Sequence, residues 1–240
     1  MKKILFTIAL TSFLFTSCKK DTAIISNLTV NFSNTIDETT LLGDTIQYTN
    51  SSNQDYSVIT LKYLISDITL TNSDGVETLL KEVHYFDLSN SASFNFLIEN
   101  LAYDNYTSIS FTMGLDTNQN KTNLYVDEDF HASMFWPDFM GGGYHYMKLE
   151  GAFNNDSTFY NTHTGGTMGM DFSFNKKFDI SLISNSSNQN ADLNINMEIN
   201  NWYNSPNAIE LTTDGIMGNK AKQMQLKENG NLDVFSVSIK

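Results

Sequence analysis

The chain has 240 residues, a formal net charge of −13 at pH 7 and one cysteine, Cys18, and all of its strongly basic residues are lysines. So acidic a chain should repel phosphate backbones, which argues against nucleic-acid binding. A single cysteine cannot form an internal disulfide, a zinc ribbon or a multi-thiolate metal site.

The N-terminus has the pattern of an export signal. Two lysines precede the apolar run ILFTIALTSFLFTS, which is too short for an ordinary membrane-spanning helix. Residues 1–17 are therefore predicted as a lipoprotein signal peptide, with Thr16-Ser17-Cys18 as the lipobox and Cys18 as the lipidated residue. Residues 18–27 would be a tether to a bacterial membrane, which we expect to be the outer membrane of the cell envelope. The alternative is a plain signal peptide that is cleaved elsewhere.

The remaining residues, 28–240, are predicted as a single domain. Apolar and polar residues alternate with period two, as in half-buried strands, and one short helix is predicted from Lys220 to Leu226. Many short strands with polar turns indicate an all-β fold, an antiparallel β-sandwich or Greek-key barrel with long loops. In chain order the alternating segments are LTVNF (28–32), VITLKYLI (58–65), ISFTMGL (109–115), LNINMEI (193–199) and FSVSI (235–239).

The segment GYHYMKLEGAF, residues 143–153, also alternates. Strict alternation places His145 on the face of Met147 and Leu149, and places Tyr144, Tyr146, Lys148 and Glu150 on the other face. His145 is therefore predicted to be buried, where each ring nitrogen needs a partner. One interpretation is a core histidine bonded to a carbonyl, and the other is a metal ligand.

Two further histidines favour the interpretation of His145 as a metal ligand. His131 lies fourteen residues before His145 and His163 lies eighteen after it, so the three could meet at one end of a sheet. Imidazole suits copper, zinc, iron and nickel, and thioethers favour copper, although methionine more often fills gaps in a core. The nearby methionines are Met134, Met140, Met147, Met168 and Met170. Gly141-Gly142-Gly143 lacks the setting of a phosphate loop and is predicted to form a turn or a close backbone approach.

Several motifs in order resemble the MbnP-like copper-binding domain family. They are Met134-Phe135-Trp136, Gly143-Tyr144, Lys148-Leu149-Glu150-Gly151 and His163-Thr164-Gly165. The resemblance runs from about Val30 to the C-terminus and implies an exported, β-rich, copper-binding protein. It also implies that a tryptophan, here Trp136, is oxidised to kynurenine by a partner di-haem enzyme of the MauG type and joins the copper site with histidines. By motif position His163 is a matching histidine, whereas His145 is included on geometry.

A second metal site is a weaker candidate. Asp116, Asn118, Asn120 and Asp127 have the spacing of oxygen ligands in a calcium loop, but Lys121 stands where such a loop needs glycine. The alternative is an Asn-rich turn. Calcium is therefore the lesser expectation. Copper is the leading one, and its predicted ligands are His163, His145 and His131, beside Trp136 and Met134.

Enzyme signatures such as G-x-S-x-G and H-E-x-x-H do not occur, so we expect a non-catalytic copper-capturing or copper-handling lipoprotein. The first alternative is a surface adhesion or glycan-binding β-sandwich. Its exposed platform would consist of Trp136, Phe139, Tyr144 and Tyr146. Another is a metalloenzyme with an open coordination position beside the metal.

Overall fold

A computed structural model describes residues 25–185 and 190–240. The predicted signal peptide, the lipobox with Cys18 and most of the tether lie outside these residues, and residues 25–27 already belong to the first strand. The strands are β1 (Ile25–Ile36), β2 (Thr39–Thr40), β3 (Tyr48–Thr49), β4 (Asp55–Tyr56), β5 (Thr60–Asn72), β6 (Glu77–Asp87), β7 (Asn95–Ala102), β8 (Asn105–Met113), β9 (His145–Phe153), β10 (Asn155–Gly165), β11 (Phe174–Ile183), β12 (Asn190–Glu198) and β13 (Phe235–Ile239).

Helical segments are few in the described part of the chain. They are α1 (His131–Met134), α2 (Lys220–Leu232) and the 3-10 turns Ser91–Ser93, Asp138–Met140 and Ile199–Tyr203. No helix within the described ranges is long and apolar enough to cross a membrane.

The strands form two sheets, and the predicted all-β sandwich is confirmed. One sheet has the order β13-β12-β1-β2, with β7 also paired to β1. The other has the order β11-β8-β5-β9-β4-β3, with β10 on β9 and β6 on β5. The pairs are antiparallel except β1 with β12, which are parallel. These two strands come from opposite ends of the chain, so no local hairpin signal reveals their pairing.

The predicted alternation fills the space between the sheets. In the parallel pair, Val30 lies opposite Leu193 and Phe32 lies opposite Ile195, and all four side chains are buried. These segments become strands because alternation lets one face of each strand be buried. Removing apolar surface from water stabilises the folded state by about 25 cal/mol per Å². Ile59 is an exception, because it precedes β5 and is exposed.

The predicted helix exists but extends beyond Leu226 to Leu232. Asn219 caps it by accepting a hydrogen bond from the Lys222 amide. The last turn of α2 contains Gly230, and glycine has a low helix propensity. Gly230 is tolerated because its backbone packs directly against the ring of Trp202, where a side chain would not fit.

Candidate metal centre

Strands β9 and β10 form a hairpin whose register determines which side chains meet. His163 lies opposite Lys148 and Thr164 opposite Met147, but Gly165 then lies opposite His145. Tyr146 is therefore an extra residue on β9, a β-bulge. Because directly paired residues share a face, the bulge moves His145 to the face of His163 and Gly165. The alternation that placed His145 with Met147 and Leu149 is thus wrong at this point.

Trp136 reaches the same face from the loop before β9. The bridge between Phe135 and Tyr144, and a hydrogen bond from the Trp136 amide to the Gly143 carbonyl, fix this loop to the start of β9. The indole lies against the backbone of Gly165, where a Cβ atom would come within 2.6 Å of Trp136 Cε3. Glycine at 165 therefore makes room for the ring.

The triple glycine allows the chain to turn between Trp136 and β9. All three glycines have positive φ, which L side chains rarely adopt. A Cβ on Gly142 would collide with Thr122 Oγ1, and one on Gly143 would collide with Asn120 Oδ1. Both predicted roles of this segment, a turn and a close backbone approach, are present.

Three rings meet in succession on this face. The ring centroids of Trp136 and His145 are 4.7 Å apart, and those of His145 and His163 are 5.0 Å apart. Trp136 and His145 are buried, and the His163 side chain is only 13% exposed. The two imidazole rings are therefore in edge-to-face contact, with an interplanar angle of 82°.

The tautomer of His163 is set by Glu150. Its Nε2 lies 2.6 Å from Glu150 Oε1. The hydrogen bond from His163 outweighs burial and lowers the pKa of Glu150 to about 2, so this carboxylate can only accept. In the neutral ring, His163 Nε2 therefore carries the proton and Nδ1 has the lone pair.

The tautomer of His145 is set by a backbone carbonyl. Its Nδ1 lies 3.1 Å from the Met134 oxygen, which can only accept, so Nδ1 carries the proton and Nε2 has the lone pair. Burial, with a smaller contribution from neighbouring His163, lowers the pKa of His145 to about 3. This imidazole is neutral at pH 7, which is the form that binds metals.

The unused nitrogens fit a metal ion. His145 Nε2, His163 Nδ1 and Trp136 Nε1 are all buried and have no hydrogen-bond partner. A buried polar atom without a partner costs about 1–3 kcal/mol, and a bound water or ion is one way to satisfy it. A histidine ligand whose second nitrogen donates to a carboxylate or carbonyl is the usual arrangement at protein metal sites.

Sequence reasoning did not identify two residues that support this face. Glu150 was expected on the side opposite His145, and its role as the partner of His163 became visible only with the bulge. Gln223, buried on α2, donates to the His163 carbonyl and accepts from the Gly165 amide. Gln223 lies within the predicted helix, but its residue type and spacing did not mark it as a partner of β10.

The structure places His131 and Met134 differently from His145 and His163. His131 Nδ1 is 3.0 Å from the Tyr144 hydroxyl, and its ring contacts are with Phe135 and Tyr144. Met134 contributes its carbonyl to His145, while its side chain packs in an apolar cluster with Tyr144 and Phe130. Among residues 25–185 and 190–240, no group of three or more His, Cys, Asp or Glu side chains is arranged to hold a metal. The centre is therefore built on a histidine pair.

The weaker calcium candidate uses its oxygens elsewhere. Asp116 Oδ1 accepts from the amides of Asn118 and Gln119, which closes a turn. Asn120 Oδ1 accepts from the Tyr144 amide. These bonds match the alternative of an Asn-rich turn.

The aromatic residues of the alternative binding platform are mostly inside the protein. Trp136, Tyr144 and Tyr146 are buried, and Phe139 alone of these four is exposed. The flat exposed surface that glycan binding would require from these residues is therefore not formed.

Fold and site together define an all-β protein with a buried histidine pair beside a tryptophan. A model of the MbnP family matches residues 25–224, and the chain belongs to this family. The solved structure of MbnP from Methylosinus trichosporium is similar in fold, with a TM-score of 0.59 at 12% identity, covering 90% of this chain and 99% of that one. A search of curated proteins found no match.

Proposed function

We propose that this protein is a lipid-anchored, non-catalytic copper-binding protein of the bacterial cell envelope. The observation that carries the proposal is the pair of unpartnered lone pairs on His145 Nε2 and His163 Nδ1. Their rings touch, and each is held in its tautomer by an acceptor on its other nitrogen. The copper ion would bind to these two nitrogens.

The donor set is compatible with copper. Structural zinc usually has four protein ligands, whereas the buried pair offers two histidine nitrogens. Calcium and magnesium prefer oxygen ligands. Copper is among the metals that suit neutral imidazole, and it is the one that the resemblance to MbnP-like copper-binding domains implies.

Trp136 is the third member of the proposed centre. As an indole, its Nε1–H can donate a hydrogen bond but has no lone pair for a metal. Oxidation to kynurenine, with peroxide as the oxidant, adds two oxygen atoms across the C2–C3 bond of the indole. Hydrolysis then releases C2 as formate and leaves an aryl amine, which can bind metal. The proposal includes this conversion, carried out by a partner di-haem enzyme of the MauG type. Elemental analysis and the intact mass of protein from its native host test it, because the conversion adds about 4 Da.

Export and anchoring complete the proposal. The predicted lipobox would place acyl chains on Cys18, which hold a domain firmly at a membrane surface. The net charge of −13 attracts cations to the protein. Capture of copper at the envelope agrees with both features.

The central experiment compares two histidine variants by competitive chelator titration of copper. His163→Ala should weaken binding sharply, because it removes a ligand. His131→Ala is the matched control and should bind with unchanged affinity, because His131 is bonded to Tyr144. Unchanged affinity in His163→Ala would remove His163 from the site and leave the proposal without its main support.

A further inference from the structure

The described methionines divide between core and surface. Four of the described ones are buried, at positions 113, 134, 147 and 197. Met168 and Met170 are exposed, and Met140, Met217 and Met224 are partly exposed. Exposed methionines are unusual, because the side chain is apolar and normally fills cores.

Four of the five accessible methionines lie on three loops that are bonded to one another. The Met168 amide donates to the Met140 carbonyl at 2.8 Å. The Thr167 hydroxyl donates to the Met217 carbonyl at 2.7 Å. Met168 and Met170 belong to one tight turn, closed by hydrogen bonds between Thr167 and Met170. The fifth, Met224, packs from α2 against an apolar cluster.

The turn is held in a conformation that side chains rarely adopt. Met168 has φ 50°, in the left-handed region, and is followed by Gly169 at φ 79°. A methionine there is less favourable than glycine or asparagine. The strained backbone directs an apolar thioether towards solvent, where it contributes nothing to the core.

An open depression separates the methionine loops. A cavity of about 180 Å³ is lined by Gly141, Gly166 and Gly169, by the charged residues Lys121 and Asp171, and by Met170, the one methionine of the cluster among its lining residues. The same loops continue directly from the candidate centre, since Met140 follows Trp136 by four residues and Met168 follows Gly165 by three. Four residues span at most about 14 Å, so the cluster lies close to the buried histidines.

We propose that Met140, Met168 and Met170, with Met217 beside them, form a second metal site for a soft monovalent cation such as Cu(I). Thioether sulfur is a soft ligand that selects Cu(I) over hard divalent ions. Three rotatable bonds let each side chain turn its sulfur to a common point. The site goes beyond the histidine centre and does not depend on it.

The test uses the mature chain with both histidines of the buried centre replaced, His145→Gln and His163→Gln, and methionines labelled with ¹³C at the methyl group. Ag(I), a redox-inert soft cation, is the probe. We expect the methyl signals of Met140, Met168 and Met170 to shift with saturation at one ion per chain, while those of Met134 and Met147 stay in place. The labelled wild-type chain, titrated in parallel, should show the same surface shifts.

The matched variants are Met140→Leu/Met168→Leu/Met170→Leu and, as control, Met224→Leu. Leucine conserves apolar volume and removes the sulfur, so both should fold. The triple variant should bind Ag(I) and Cu(I) at least about tenfold more weakly in the histidine-free background, and the control should bind as before. Uniform small shifts of all methyl signals, no saturation, or undiminished binding in the triple variant would overturn the surface site. Copper binding by the intact histidine centre is measured separately. A failure of the histidine centre to bind copper would therefore leave the test of the methionine site unaffected.

Discussion

The backbone of Gly165 lies against the indole of Trp136, so that a Cβ atom at 165 would come within 2.6 Å of Cε3. Gly165 also lies opposite His145 in the hairpin, and its amide donates a hydrogen bond to the side-chain oxygen of Gln223. One residue therefore supports the tryptophan, the bulge and the contact with α2. The position of Trp136 against His145 depends on the absence of a side chain here.

Gly165→Ala should displace Trp136 and weaken copper binding. The added methyl group has no free space, and overpacking of this kind costs about 1–3 kcal/mol. Urea unfolding and copper titration measure both effects. Gly215→Ala is the matched control, because a Cβ there meets no atom within 4 Å. Equal stability and affinity in the two variants would show that Trp136 does not require the glycine.

Glu150→Gln should weaken copper binding through His163. An amide can donate as well as accept, so it no longer forces the proton onto His163 Nε2 and the lone pair onto Nδ1. Loss of such an outer partner typically lowers metal affinity about 10–100-fold. The measurement is copper affinity, together with the ¹⁵N shifts of His163, which report the tautomer. Glu77→Gln, at an exposed carboxylate, is the control. An unchanged His163 tautomer in Glu150→Gln would argue against this role of Glu150.

Acid should destabilise the protein through His84. Burial lowers the pKa of this histidine from 6.5 to about 4, and its ring is stacked on Phe32 with centroids 4.1 Å apart. The unfolded chain therefore binds a proton at higher pH than the folded chain. The contribution of neutral His84 to the free energy of unfolding is fully present above pH 6.5. About 3 kcal/mol of it is lost as the pH falls towards 4. Urea unfolding at several pH values should show this loss in the wild type and a smaller one in His84→Gln.

Gln223→Leu should loosen β10 from α2. The Gln223 amide donates to the His163 carbonyl at 2.7 Å, and leucine would leave that carbonyl and the Gly165 amide without this partner. The expected cost is about 1–3 kcal/mol in the free energy of unfolding. Gln225→Leu, at a partly exposed position on the same helix, is the control. The hydrogen-exchange rate of the Gly165 amide should rise in Gln223→Leu only. Equal rates in the two variants would contradict the role of Gln223 in holding β10 to α2.

The strands could be predicted because their signal is local. Leu28, Val30 and Phe32 alternate with polar residues and are buried as expected. The parallel pairing of β1 with β12 could not be predicted, because the two strands are separated by the whole second sheet. The end of α2 was also missed, since its last turn depends on the packing of Gly230 against Trp202.

By itself the sequence determined the all-β class, the family resemblance and the residue types at the candidate centre, because alternation and motif order are properties of the chain. Only the tertiary structure decided which of those residues meet. The bulge at Tyr146 moves His145 to the face of His163, and His131 is bonded to Tyr144 instead. A one-residue shift of register reverses the face of a side chain, and no periodic pattern in the sequence marks where it occurs.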